Sequence, residues 1–160
     1  MNVEEIRILV HEYKSIEELQ EESRILVEHA REASKKAYAP YSQFRVGAAV
    51  LLQNGEIITG NNQENSAYPS GLCAERVALF YAGSRFPEVP VVKMAIAAFH
   101  KEKYLAQPVY PCGDCRQVML EYEVRGHTPI QIILYGSEKI QIVKSAKDLL
   151  PLPFIDDFGL

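Results

Sequence analysis

The sequence has little cysteine, no excess of basic charge and no long apolar run. Three cysteines in 160 residues form no paired framework, which excludes a secreted scaffold stapled by disulfides. No apolar run approaches the roughly 20 residues needed to cross a bilayer, so no membrane partner is expected. Met1 to Val10 mixes acids and a base among its apolar residues, which is not the pattern of a signal peptide. The net charge is −4 and the pI about 5.6. Polynucleotide binding relies on clustered cations that neutralise phosphates. The densest cluster here is Arg31, Lys35 and Lys36 on a predicted helix, which reads as a solvated face, so no nucleic-acid partner is expected. Repeats, low-complexity tracts and linkers are also missing. One domain over 1–160, with 1–14 as an N-terminal extension, and a cytoplasmic location are the expectations.

What is present is the composition of a globular domain, 48% hydrophobic and 24% charged, long enough to bury roughly 70% of its unfolded surface. Ile6–Val10 reads as a short strand. Ser15 and Glu18 have the spacing of a capping box, predicting a helix from there that Pro40 stops. Val46–Leu52 and Ile57–Thr59 flank Asn54-Gly55, a strong hairpin signal. A helix is predicted from Cys73 to about Gly83. Its interior, Val77–Ala82, is apolar on every face, which predicts burial all round and a subunit interface on one side. A buried strand is expected at Val91–Ala98, a polar excursion at His100–Val109, and a helix from Cys112 to about Glu121. Two strands follow at Ile130–Tyr135 and Ile140–Val143, and Ser145 caps a short last helix. Interleaved strands and helices make the fold class α/β, a layered sandwich.

The three cysteines fall in two short runs, Cys73-Ala74-Glu75-Arg76 and Pro111-Cys112-Gly113-Asp114-Cys115-Arg116. Each run follows a loop and opens a helix, where unpaired N–H groups and the dipole favour a thiolate. Cys112 and Cys115 are three apart and share a helical face. Structural zinc sites take four protein ligands, whereas catalytic ones take three and leave the fourth position to water. Glu75, two residues from a cysteine, is placed for general acid–base work. Three thiolates would leave Zn²⁺ electron-rich, so Arg76, in preference to Arg116, is expected to offset charge at sulfur. Three other readings compete. A redox dithiol leaves Cys73-Ala74-Glu75 unexplained. A Cys₃His structural site finds no ligand spacing at His11, His29, His100 or His127. An iron–sulfur cluster usually needs four cysteines.

These runs, with the blocks Tyr41–Ala49, Gly60–Asn65 and Leu149-Leu150-Pro151, make the chain resemble the small, homotetrameric, three-cysteine zinc-dependent cytidine deaminases, over about Ser23 to Phe154. Cys73 stands where related base deaminases have histidine. The resemblance implies a three-layer α/β/α sandwich with a mixed, roughly five-stranded central sheet. It implies one Zn²⁺ per chain on Cys73, Cys112 and Cys115, with Glu75 as proton shuttle. It also places Asn62 and Glu64 at the ribose 3′-hydroxyl, Phe44 against the pyrimidine and the Ala74 N–H at the base carbonyl. Tyr68 and Phe154 match positions that reach a neighbouring subunit's site. Core packing competes for Phe44 and Phe154. The implied substrate is a small pyrimidine nucleoside and the implied partner a second copy, in a tetramer. A modified aminopyrimidine nucleoside as substrate, or a zinc-stabilised binding protein without catalysis, are the alternatives. The chain departs from the family in its widely separated cysteine runs, its extended N-terminus and Asp114, where the family often has alanine.

Overall fold

The computed structural model describes residues 1–155. Five longer strands make the body of one mixed sheet: β2 (Arg45–Leu52), β3 (Ile57–Asn61), β4 (Val91–His100), β6 (Gln131–Tyr135) and β7 (Ile140–Val143). Two short strands extend it. β1 (His11–Tyr13) adds to the edge at β7, and β5 (Lys103–Tyr104) pairs with β4, giving the order β1-β7-β6-β4-β2-β3. Only β4 and β6 run parallel. The helix crossing between them is α3 (Gly113–Gly126); α1 (Glu21–Lys35) and α2 (Ala74–Arg85) complete the frame.

Strand periodicity divides the core in two. Val50, Met94, Ile132 and Leu134 pack with Leu79 of α2 and Met119 of α3. Ala49, Ala95, Ala97 and Ile133 face Leu26, Val27 and Ala30 of α1. The sheet therefore lies between α1 on one face and α2 with α3 on the other. Asn54-Gly55 forms the expected turn, with Gly55 at φ +88°, and β2 pairs with β3 from Gly47↔Asn61 to Leu51↔Ile57.

Three local expectations are corrected. Ile6–Val10 is exposed and carries no strand; the strand is His11–Tyr13, selected by pairing with Ile140–Ile142 rather than by its own apolarity. Ser15 precedes only a 3₁₀ turn, Ile16–Glu18, and makes no side-chain cap. Glu18 instead accepts from the Lys14 N–H at 3.3 Å, and the α-helix starts at Glu21. That helix ends at Lys35, before Pro40 can act. Within one chain α2 buries Ala74, Glu75, Ala78, Leu79 and Ala82 and leaves Phe80 and Tyr81 exposed, on the side where the sequence reading places a subunit interface.

The 100–109 excursion is pinned rather than loose. Tyr104 lies under the Arg31 guanidinium, 4.5 Å from its ring centre, and its hydroxyl donates to the Arg31 carbonyl at 3.2 Å. The Leu105 carbonyl accepts from the Ser137 N–H and that of Ala106 from the Glu138 N–H. The segment is thereby carried across the end of β6 and delivered to Cys112.

Candidate functional site

Both cysteine runs are helix starts. Cys73 is the extended N-cap residue of α2 and Cys112 that of α3, while Cys115 sits in the first turn of α3. The Sγ atoms of Cys73 and Cys112 are 3.8 Å apart, and those of Cys112 and Cys115 3.5 Å. All three lie within 4.8 Å of one another. Tetrahedral zinc with bonds of about 2.3 Å sets its sulfurs about 3.8 Å apart, so the cluster fits one Zn²⁺. Cys115 is buried, Cys73 half-buried and Cys112 exposed, which leaves one side of the cluster open.

The electrostatics follow from this packing. The Cys73 thiol is lowered from 9.0 to about 5, first by a hydrogen bond from Cys115 and then by Arg76, against the cost of burial. Cys115 is pushed up, as donor in that bond and by burial. Arg76 Nη2 lies 3.7 Å from Cys73 Sγ and Nη1 3.8 Å from the Asp114 carboxylate. Arg116 turns elsewhere, to the carbonyls of Pro111 and Leu149 at 2.8 and 2.9 Å. Of the two candidate arginines, only Arg76 reaches sulfur. The Glu75 carboxyl is buried at 4% exposure. Burial pushes its pKa up, and the Cys73 thiolate adds to that.

A cavity of about 450 Å³ opens over this cluster, lined among others by Phe44, Asn62, Glu64, Ala74, Glu75 and Cys112. With Cys73, which lines it too, seven of the expected positions therefore meet at one cavity. The Asn62 amide is bolted to β2: its Oδ1 accepts from the Val46 N–H at 2.7 Å and its Nδ2 donates to the Phe44 carbonyl at 2.9 Å. One amide N–H remains for a ligand. The Glu64 carboxylate accepts from the Tyr41 N–H at 2.9 Å, the Ser42 N–H at 3.3 Å and the Ser42 hydroxyl. These donors, the hydroxyl first, hold its pKa below the ordinary carboxylate value. Ala74 is the first residue of α2, so its N–H lacks an intrahelical partner.

Tyr68 and Phe154 stand outside this cavity. Tyr68 is exposed, edge-on to Tyr41 at 6.0 Å, and borders an adjoining hollow that shares Asn62, Glu64 and Cys73. Phe154 is exposed, and its carbonyl accepts from Gln117 Nε2 at 3.0 Å. Sequence reasoning missed Ser42, Val46, Ile96, Val109 and Tyr110 in the cavity wall. Strand alternation was a usable signal for Val46, two residues beyond Phe44. Ser42 and Tyr110 arrive through loop geometry.

A mixed α/β sandwich that gathers three thiols and a buried carboxylate from two helix starts defines a hydrolytic zinc centre as its class. Comparison with known proteins narrows the class. Residues 20–128 match the family model described as the cytidine and deoxycytidylate deaminase zinc-binding region, and the chain belongs to that family. A cytidine deaminase of Halalkalibacterium halodurans is 47% identical over 98 residues, 61% of this chain and 70% of that one. A probable cytidine deaminase of Dictyostelium discoideum is 38% identical over 132 residues, 82% and 83% of the two chains. The crystal structure of cytidine deaminase from Burkholderia pseudomallei superposes with a TM-score of 0.70 at 38% identity, covering 81% of this chain and 97% of that one. No helix among the described residues is long and apolar enough to cross a membrane.

Proposed function

We propose that this chain catalyses the hydrolytic deamination of cytidine and 2′-deoxycytidine to uridine and 2′-deoxyuridine, releasing ammonia, within pyrimidine salvage. The observation that carries the reading is the buried Glu75 carboxyl lining the same cavity as the convergent thiols of Cys73 and Cys112. Cys73, Cys112 and Cys115 hold one Zn²⁺. The bound metal supplies Lewis-acid activation that makes water a nucleophile at neutral pH.

The remaining roles belong to the chain. Glu75 takes a proton from the attacking water and delivers it to ring N3, then takes the second proton from the new C4 hydroxyl and passes it to the departing amine as the C4–N bond breaks and the C4 carbonyl forms. Its buried setting raises the proton affinity of the carboxyl, which suits a group that must both take and return a proton. Phe44 lies against the pyrimidine, and the Ala74 N–H donates to the base carbonyl. The free Asn62 N–H and the remaining Glu64 acceptor position grip the 3′-hydroxyl. That contact accepts either sugar. Arg76 draws charge from Cys73.

The functional unit is a homo-oligomer, with a tetramer favoured. Supporting it are the exposed aromatics Tyr68, Phe80, Tyr81 and Phe154, of which Phe80 and Tyr81 share the largely apolar helix α2. Tyr68 and Phe154 then complete a neighbour's site. The three free thiols fit a reducing cytoplasm.

The test follows the ultraviolet absorbance of cytidine and deoxycytidine, with a panel of modified aminopyrimidine nucleosides, on zinc-quantified protein. Turnover of the two ordinary nucleosides supports the proposal. Silence with every substrate leaves a binding protein and sinks it. Glu75→Gln should keep zinc and lose about 10²–10⁴ in rate; normal turnover in that variant refutes the proton-carrier role. Sedimentation of the same protein checks the tetramer.

A further inference from the structure

The cavity wall contains a tyrosine whose hydroxyl is held from the far edge of the sheet. Tyr110 lines the cavity beside Val109 and Cys112. Its hydroxyl donates to Gln141 Oε1 at 2.6 Å. Gln141, on β7, is 9% exposed, and its Nε2 donates to Glu12 Oε1 at 2.7 Å. Glu12 lies on β1 directly opposite Gln141 in the antiparallel register. Lys139 Nζ donates to the same Glu12 oxygen at 3.3 Å.

The polarity of this chain is fixed by chemistry. An ionised carboxylate only accepts, and Glu12 is held ionised by its bonds from Gln141 and Lys139, which keep its pKa below the ordinary value. Gln141 must therefore present its NH₂ to Glu12 and its carbonyl oxygen to Tyr110. Tyr110 must then donate. A single charge on the edge strand thus dictates both the orientation of a buried amide and the direction of the hydrogen bond made by a residue in the cavity wall. Removing Glu12 frees the amide to reverse, so that its NH₂ faces the phenol and Tyr110 must accept where it had donated, which loosens the hold on its hydroxyl.

We propose that Tyr110 is a substrate-positioning residue of the cavity, and that Glu12, through Gln141, is what fixes it there. This rests on the nucleoside-deaminase reading above. The strand β1 is then a working part of the site and not merely a cover for the edge of β7. The loop that delivers Tyr110 is the 100–109 excursion, so the two segments in which the chain departs from its family resemblance are joined through the Gln141 amide.

The test uses full-length, zinc-loaded protein and the variants Tyr110→Phe, Glu12→Ala and Glu12→Gln. Each should raise KM for cytidine about three- to tenfold with kcat within twofold. The double variant Tyr110→Phe/Glu12→Ala should be no worse than Tyr110→Phe alone, because the two act through one bond. A second readout needs no turnover. With ¹³C-labelled tyrosine, the phenol Cζ resonance lost in Tyr110→Phe should move in both Glu12 variants. Additive KM effects, or Glu12 variants that lower the melting temperature but leave KM and the Cζ resonance unchanged, overturn the proposal. A wild type that moves its Cζ resonance on substitution of Glu12 yet never turns over a nucleoside overturns the substrate role and fails the functional reading, while the relay itself stands.

Discussion

Gly60 offers the sharpest test of how the fold positions the site. It lies on β3 against the first turns of α2. A Cβ there would sit 2.5 Å from the Ala78 N, 2.6 Å from the Ala74 carbonyl oxygen and 3.0 Å from the Ala78 Cα. All three are backbone atoms, so no side chain can rotate out of the way. Restoring ordinary contacts of roughly 3.5 Å requires α2 to withdraw from the sheet by about 1 Å. Overpacking of this kind costs about 1–3 kcal/mol, which lowers the melting temperature by roughly 2–4 °C for each kcal/mol in a chain of this size. The turn that moves begins with Cys73, Ala74 and Glu75. A displacement of about 1 Å in a reacting geometry costs on the order of 10²-fold. Gly60→Ala should therefore lose about a hundredfold in kcat/KM for cytidine, followed by absorbance, and about 5 °C in calorimetry. Gly55→Ala is the matched control. Its φ of +88° strains any side chain, yet nothing lies within 4 Å of the added carbon. It should lose about 1 kcal/mol of stability and no activity. If Gly60→Ala keeps full activity, or if the two variants lose activity in proportion to stability, the reasoning about close approach is wrong.

The remaining predictions concern charge. Arg76→Ala removes the guanidinium 3.7 Å from Cys73 Sγ and should weaken zinc retention by roughly 10–100-fold in competition with a chelator; unchanged retention and activity would show that sulfur needs no such partner. Asp114→Ala should act in the opposite direction and weakly, by a factor of about 2–5, because this carboxylate shares Arg76 from an exposed position where ion pairs contribute little; a loss of zinc would contradict it. Glu64 has a folded-state pKa below 4.5, so its stabilising contribution is complete above pH 4.5 and is lost as pH falls through the folded value. The stability gap between wild type and Glu64→Gln, from urea midpoints, should be constant from pH 7 to 5 and narrow below 4.5; a gap that does not narrow refutes the assignment.

The metal cluster was legible in the sequence because its information is local. A cysteine after a loop and before a helical run must sit near a helix start, and a three-residue spacing must share a face. The five longer strands were legible for the same reason, since β-prone runs and an Asn-Gly turn need no distant partner to be recognised; the two-residue β5, inside the polar 100–109 excursion, was not. What was not legible depended on distant partners. β1 consists of His11, Glu12 and Tyr13, whose only reason to be extended is the open edge of β7; the more apolar Ile6–Val10 has no such partner. Glu123 accepts from the N–H groups of Ile130 and Ala146 and from the Ser145 hydroxyl at 2.8, 2.7 and 2.5 Å. It ties the end of α3 to β6 and the last turn, and no spacing rule finds it. The apolar stretch Val77–Ala82 was legible as a segment with more apolar surface than its own core covers, but periodicity cannot say which face packs on the sheet and which, with Phe80 and Tyr81, is left exposed.

Placing the metal ligands on helix starts also decides how the proton carrier is tuned. Glu75 follows Cys73 by two residues, so the backbone that aims the sulfur at the metal position also buries the carboxyl beneath it. Burial raises the Glu75 pKa, and the negative sulfur of Cys73 raises it further. Arg76, the next residue, opposes that second effect, because the charge it draws from Cys73 is charge that Glu75 no longer faces. On the roles proposed above, ligand, proton carrier and counter-charge fall within four residues, Cys73 to Arg76, and cannot be adjusted independently. Asp114 feeds into the same balance from α3 by taking part of Arg76's charge. A substitution at Cys73, Arg76 or Asp114 is therefore expected to change both metal retention and the proton affinity of Glu75. The two effects of Arg76→Ala should appear together, in chelator competition and in the acid limb of the rate profile, and an effect on one alone would mean that the turn is not electrostatically coupled.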